Sequence, residues 1–284
     1  MMDRRFKDRY GPWALITGAS SGIGREFAYQ LAEKGLDIVL VARREDKLRE
    51  IAEHIGSGFG RRTRVVPLDL SRRDLWVHLE PHLRDIEVGL LVNNAGFSIF
   101  GPFLEQSLDR NMEMIELNIV APTILAHELG RKMASKGKGG MIFLSSMAGF
   151  VPAPLMSAYS ATKSFDLFLG EALHKELKRK GIDVLTLCPG ATDTEFSQRA
   201  GIESGFKGKS PVPVVRSALD GLGGPTFVVP GLRNRMEIFL TRFVPRKLMI
   251  AAAERRLGSM KKAGLTQGPK VIFCSNPDGS SFLC

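Results

Sequence analysis

Tyr159 and Lys163 stand four residues apart in Ser-Ala-Tyr-Ser-Ala-Thr-Lys, and Ser146 lies thirteen positions before the tyrosine. Near the N-terminus a glycine-rich segment, Thr17 to Gly24, reads Thr-Gly-Ala-Ser-Ser-Gly-Ile-Gly. On a helix, residues at i and i+4 share a face, so the Lys163 ammonium and the Tyr159 phenol would project into the same space. A phenol with a reference pKa of about 10 is a poor acid–base catalyst near neutrality unless a fixed cation favours its phenolate. Lys163 is placed to be that cation. Moving the phenol by about 3 units takes roughly 4 kcal/mol, within reach of one close, partly desolvated charge plus a cofactor charge. The combination points to hydride chemistry on a carbonyl or an alcohol.

Positioning such groups requires a scaffold, and the chain alternates short apolar runs with longer helical patterns. Ala14 to Thr17, Asp37 to Val41, Arg64 to Leu68, Gly89 to Asn93, Met141 to Ser145, Asp183 to Cys188 and Phe227 to Val229 read as seven strands. Between them Ile23 to Lys34, Arg44 to His54, Ser71 to Arg84, Asn118 to Ser135 and Ser157 to Lys180 are long enough for crossover helices. Gly35, Gly137 and Gly181 follow three of these, where a left-handed stop is expected. Alternation of this kind predicts an α/β fold: a Rossmann-type, doubly wound, seven-stranded parallel sheet with helices on both faces. Arg199 to Pro213, rich in glycine and proline, breaks the alternation and reads as a mobile loop. Val214 to Gly221 can form a helix, and Met236 to Leu257 reads as a basic helical stretch interrupted at Pro245. The expected organisation is a catalytic domain over 1–232, a basic amphipathic helical extension over 233–267, packed on or near that domain, and a flexible tail over 268–284 in which Val271 to Cys274 can add an edge strand.

Composition narrows the function classes. The chain has 284 residues, 44% hydrophobic and 25% charged, the profile of an ordinary globular protein. Its start has no apolar core for a secretory signal, and no stretch approaches the ~18 apolar residues of a membrane span. A cytoplasmic protein is the expectation. Three cysteines, Cys188, Cys274 and Cys284, are too few and too scattered for a disulfide framework or zinc site. Cys188, in an apolar run, reads as a buried thiol. His78 and His82 are separated by Pro81 and have no evident third ligand, so no metal is expected. The net charge of +10 is concentrated between Arg233 and Lys262, where nine basic residues face two acidic ones. No recognition motif accompanies that cluster, which argues against nucleic acid.

The glycine turn runs from a strand into a helix, so its backbone can approach a phosphate and the helix start offers free N–H groups to a pyrophosphate. About twenty residues on, where an acidic residue would grip the ribose 2′-hydroxyl of NAD, the second strand ends in Ala42-Arg43-Arg44. Two arginines there suit the 2′-phosphate of NADP by charge and bidentate geometry. Cations at a helix start are otherwise unfavourable. NADP(H) is therefore the expected cofactor.

From residue 10 to about 230 the motifs, in order, identify the chain as resembling the short-chain dehydrogenase/reductase family in its single-domain, NADP-preferring form. By that resemblance Gly18, Ser20, Ser21, Gly22, Ile23 and Gly24 form the phosphate loop, and Asp69 and Leu70 contact the adenine. Asn93-Asn94-Ala95-Gly96 matches the motif after the fourth strand, of which Asn94, Ala95 and Gly96 are assigned to the cofactor. Pro189, Gly190, Thr192 and Thr194 lie along the nicotinamide. Asn118, Ser146, Tyr159 and Lys163 fall at the spacing of the catalytic tetrad. The resemblance implies that Tyr159 gives a proton to the substrate oxygen and that Ser146 orients that oxygen. It also implies that Lys163 holds the nicotinamide ribose and lowers the tyrosine pKa, and that Asn118 positions a water linking Lys163 to solvent. Ser145 is assigned to the strand. Homodimers or homotetramers are expected, with Ser157 to Lys180 as the usual contact, and Phe165, Phe168, Leu169 and Leu173 fit that role.

Phe97 to Phe103, Phe150 to Met156 and Phe196 to Pro213 are expected to line the substrate pocket. Phe97, Ile99, Phe100, Phe103, Phe150, Val151, Leu155, Met156, Phe196 and Phe206 within them suit an apolar ketone or aldehyde of lipid, steroid or acyl type. The expected activity is that of an NADPH-dependent carbonyl reductase working toward the alcohol. Apolar residues from Met236 to Ile250 interleave with the arginines and lysines, which suits an anionic membrane surface or an acidic protein such as an acyl carrier. A helix covering the pocket or a neighbouring subunit explains the same pattern. A non-catalytic NADP-binding sensor or scaffold, and a peripheral membrane protein acting through its C-terminal helix, are the alternative functions.

Overall fold

The computed structural model describes residues 4–196, 208–262, 273–275 and 281–283. Its centre is one parallel sheet in the order β3-β2-β1-β4-β5-β6-β7, formed by β1 (Trp13–Thr17), β2 (Asp37–Ala42), β3 (Thr63–Pro67), β4 (Val88–Asn93), β5 (Gly139–Leu144), β6 (Ile182–Leu187) and β7 (Phe227–Val228). The order reverses between β1 and β4, which opens a crevice beyond their carboxyl ends. β1, β2 and β4 are buried along their whole length, because helices cover both faces and every side chain lands in a core. Ala14, Ile16, Ile38 and Leu40 point to one face, under α2 (Gly22–Glu33), α3 (Glu45–Phe59) and α8 (Pro211–Gly221). Leu15, Val39, Val41 and Phe143 point to the other, under α6 (Ala121–Lys136) and α7 (Ser157–Lys178).

Four details depart from the sequence expectation. The first turn of chain forms a helix, α1 (Arg4–Tyr10), fastened to β6 where Tyr10 Oη and Arg9 Nε each donate to Asp183 Oδ2 at 2.8 Å. The helix expected over Ser71 to Arg84 shortens to α4 (Leu75–Leu79) and a 3-10 turn, Glu80–Leu83; Pro81 has no N–H to continue the helical ladder. The helix expected from Asn118 begins ten residues earlier as α5 (Leu108–Ile115) and enters α6 through a π turn, Glu116–Val120. Phe273–Ser275 pairs antiparallel with Ser281–Leu283 in a separate two-stranded sheet, β8 and β9, rather than joining the main one. Beyond β7, α9 (Leu232–Leu240) and α10 (Arg246–Lys262) are split at Pro245 as the sequence predicts. Phe206 and most of the 199–213 and 268–284 segments lie outside the described residues.

Candidate active site

The glycine turn is shaped by what crowds it. Gly18 and Gly22 adopt φ of +65° and +56°, a region costly for residues with a Cβ. A Cβ on Gly18 would lie 2.8 Å from Asn94 Nδ2, and one on Gly24 would collide with the Gly18 carbonyl oxygen. Thr17 anchors the turn from β1: its hydroxyl accepts the N–H groups of Asn94 and Ala95, each at 2.9 Å, and donates to Val92 O. Asn94 Nδ2 donates back to Thr17 O at 2.8 Å. The Ser21 side chain does not cap α2, so the first N–H groups of the helix face the crevice unspent. This is a cradle for a pyrophosphate. A Cβ on Gly22 would meet Thr194 Cγ2 at 2.8 Å, so Thr194 closes the cradle from above, while Ile23 packs below it into the core. Thr192 donates to Gly190 O at 3.1 Å, and Gly190 sits against Met147 and Asn234.

At the end of β2, Arg44 reaches back to the cradle. Its guanidinium donates to Ser20 Oγ at 3.0 Å and pairs with Glu195 at 2.9 Å. Arg43, half exposed, lies 3.4 Å from Glu113 and 3.8 Å from Asp69. Burial alone would raise the Asp69 carboxyl, but hydrogen bonds from Ser71 and the charges of Arg43 and Arg72 bring it below its ordinary value. Leu70, next to it, is buried in the core. These residues could hold an adenine dinucleotide, and both guanidinium groups beside them are paired with carboxylates.

The other half of the site is carried by α7 and the loop after β5. Ser145 Oγ donates to Lys163 O at 2.6 Å, tying the helix backbone to the strand end. The helix comes close to the sheet because Gly170 packs directly on Thr186 of β6. Tyr159 and Lys163 are thereby fixed and buried, 6% and 4% exposed. Burial is the largest influence on the phenol and raises its pKa; the Lys163 charge and a hydrogen bond from Ser146 pull it down. The spacing of Tyr159 and Lys163 in the sequence shows only the second effect. Ser146 is itself oriented by Ala148 N, which donates to its Oγ at 3.1 Å. The Phe196 ring stands 5.8 Å from that of Tyr159, and Phe97, Ile99 and Met156 complete the same apolar cluster. Phe150 turns away to pack on Phe227, and Phe103 is exposed.

Asn118 does not touch Lys163 through its carboxamide. Its Oδ1 accepts from Phe97 N at 3.2 Å, and its Nδ2 donates to Phe97 O and Thr162 Oγ1, both at 3.0 Å. These bonds tie the side chain to the loop after β4 and to α7, where it packs against Gly96, which lies beside Lys163 Nζ. Lys163 Nζ instead donates to Leu144 O at 2.7 Å and to Asp166 Oδ2 at 2.8 Å. Asp166 was not singled out from the sequence, although its place three residues after Lys163 on one helix face was a readable signal.

The glycine turn, the paired arginines and the tyrosine–serine pair on an apolar wall thus lie around one crevice. Known proteins are similar in sequence and fold. A very-long-chain 3-oxoacyl-CoA reductase of Rattus norvegicus is 37% identical over 194 residues, 67% of this chain, which spans 62% of that enzyme's length. A solved 7beta-hydroxysteroid dehydrogenase superposes with a TM-score of 0.81 at 28% identity, covering 89% of this chain and 99% of that one. A short-chain dehydrogenase from Sphingobium yanoikuyae in complex with NADPH has a TM-score of 0.73 at 33% identity, covering 88% and 96%. The family model for short chain dehydrogenases matches residues 12–204. The chain belongs to the short-chain dehydrogenase family and is an oxidoreductase.

Proposed function

We propose that the protein reduces the carbonyl of an apolar, lipid-like substrate, such as a 3-oxoacyl thioester or a ketosteroid, with NADPH as the donor. The observation that carries this reading is the buried Tyr159 phenol facing Phe97, Ile99, Met156 and Phe196, with Ser146 beside it. A bound nicotinamide dinucleotide supplies the hydride. The Ser146 hydroxyl donates to the substrate oxygen and orients it. Burial holds Tyr159 protonated at neutral pH, the form that can give its proton to that oxygen, so the environment favours reduction. Lys163 would hold the nicotinamide ribose, and Gly18, Gly22 and Gly24 with the start of α2 would hold the pyrophosphate. Arg43 and Arg44 would take the 2′-phosphate in place of their present carboxylate partners. The named relatives, which act on 3-oxoacyl thioesters and hydroxysteroids, support an apolar substrate.

The test is oxidation of NADPH and NADH against long-chain 3-oxoacyl thioesters and ketosteroids, with Arg44→Ala and Arg43→Ala beside the wild type. Charge-assisted hydrogen bonds contribute about 1.5–3 kcal/mol, so each substitution is expected to raise the KM for NADPH roughly 10- to 100-fold and leave that for NADH nearly unchanged. Equal use of both cofactors, unaffected by either substitution, would overturn the NADPH assignment.

The C-terminal helices favour a location as well. Leu232, Met236 and Phe239 recur at i, i+4 and i+7 on one face of α9, Phe243 follows in the turn after it, and all four are exposed. Ile238, on the opposite side, is buried against Leu167, Cys188 and Val229. The helix is thus amphipathic with an apolar stripe turned outward, flanked by Arg233, Arg235, Arg242, Arg246 and Lys247. Apolar stripe and basic flanks suit an anionic lipid surface. Because Asn234 of α9 touches Gly190, that surface would lie near the substrate mouth. Among the described residues no helix is long and apolar enough to cross a membrane, so the attachment would be peripheral. Homo-oligomers through α7 rest on Phe168, which is exposed on that helix.

A further inference from the structure

Three observations meet at Asp166. Its carboxylate is 3% exposed. Its only hydrogen-bond partner among the described residues is the Lys163 ammonium, 2.8 Å away and three residues back on α7. It also lines a small cavity of about 10 Å³, roughly one water in size, together with Thr17, Asn93 and Asn118. Asn93 Oδ1, buried on the same wall, has no hydrogen-bond partner. A buried charge is costly unless paired and hydrogen-bonded. A carboxylate serving only α7 and the sheet has no need to face the one ammonium of the reaction centre.

Resting on the proposed reductase reading, we infer that Asp166 is a positioning residue that holds Lys163 charged and fixed in place, and thereby sets the pH at which the Tyr159–Lys163 pair releases its proton. The charges at this point are few. α7 contributes Tyr159, Lys163 and Asp166, and the Cys188 thiol faces Lys163 from the end of β6, pushed up by burial and so neutral. The cavity wall from β1, β4 and α6 carries no charged group. Burial is the largest single influence and lowers the Lys163 pKa, but the charge and hydrogen bond of Asp166, together with Tyr159 and Cys188, hold the ammonium above its ordinary range. The same negative charge opposes the Tyr159 phenolate. Asp166 therefore favours the proton-bearing form of both partners. The cavity gives Asp166 and Asn93 room to share one water, which satisfies the carboxylate without weakening its hold on Lys163.

The sign of the effect follows. Removing a negative charge beside two acids releases protons from the pair at lower pH. In Asp166→Asn the alkaline limb of kcat/KM for carbonyl reduction, where the proton donor is lost, and the acid limb for alcohol oxidation both move down, by about one pH unit or more. Asp166→Glu keeps the charge and is expected to keep both limbs near their wild-type positions. A second reading uses the protein without substrate. The chain has three tyrosines, so the tyrosinate absorbance titration of wild type minus that of Tyr159→Phe isolates one phenol, and that phenol ionises at lower pH with Asn at 166. Asp166→Ser repeats both measurements should the amide not fold. Limbs and tyrosinate titration that stay in place in a folded variant would overturn the inference and leave Asp166 a structural anchor. Absence of turnover in the wild type would instead count against the reductase reading, and the tyrosinate titration would still decide this one.

Discussion

At the scale of single residues, burial and charge pull Tyr159 in opposite directions, and burial has the larger effect. The sequence shows why a cation must stand near the phenol, because the i, i+4 spacing of Tyr159 and Lys163 is visible in it. It does not show how dry the site is, since dryness depends on Phe97, Met114 and Phe196 arriving from three other segments. The same holds for Asn118, whose spacing was legible but whose carboxamide is committed to Phe97 and Thr162. Asp166 illustrates the complementary case. Its spacing from Lys163 was in view, but a carboxylate three residues from a lysine is most often a surface pair of about 0.3–0.5 kcal/mol. Only the closeness of α7 to β6, enforced by Gly170 on Thr186, turns it into a buried counter-ion.

Elements carry these residues, and the tightest joint lies between β1, the glycine turn and α2. A Cβ on Gly24 would overlap the Gly18 carbonyl and Asn94, so Gly24→Ala must push α2 away from the turn. Overpacking of this kind typically costs about 1–3 kcal/mol. The expected result is a lower Tm by thermal unfolding and weaker dinucleotide binding by fluorescence titration; unchanged binding would show that the cradle is not the pyrophosphate site. Seven strands and their parallel order were legible because continuous apolar runs alternate with helical periods. The positive φ of Gly35, Gly137 and Gly181 bears out their reading as helix stops. α5 was not legible: Leu108 and Met112 are exposed, so its apolar pattern does not mark a core face. α1 was missed because its core face is a single apolar pair, Phe6 and Tyr10 at i and i+4, amid five charged residues, and its hold through Asp183 comes from a distant strand.

For the whole molecule, charge and apolar surface coincide at one end, next to the substrate mouth. Phe243 is 71% exposed and pairs edge-on with Phe239 at 5.3 Å. Full-length protein is expected to float with vesicles containing an anionic phospholipid, to float less with purely zwitterionic vesicles, and to lose flotation in Phe239→Ser/Phe243→Ser. A protein that stays in the soluble fraction with both vesicle types would assign α9 to covering another protein surface instead. The proposed function joins a lipid-facing mouth to a dry tyrosine, in a reductase that would take an apolar carbonyl and protonate it out of contact with water. The most direct test of that claim is NADPH oxidation with the best substrate of the panel, comparing wild type with Tyr159→Phe while NADPH binding is measured separately. The expected result is a loss of kcat of about 100- to 10,000-fold with NADPH affinity preserved. Turnover that survives the loss of the phenol would contradict the account.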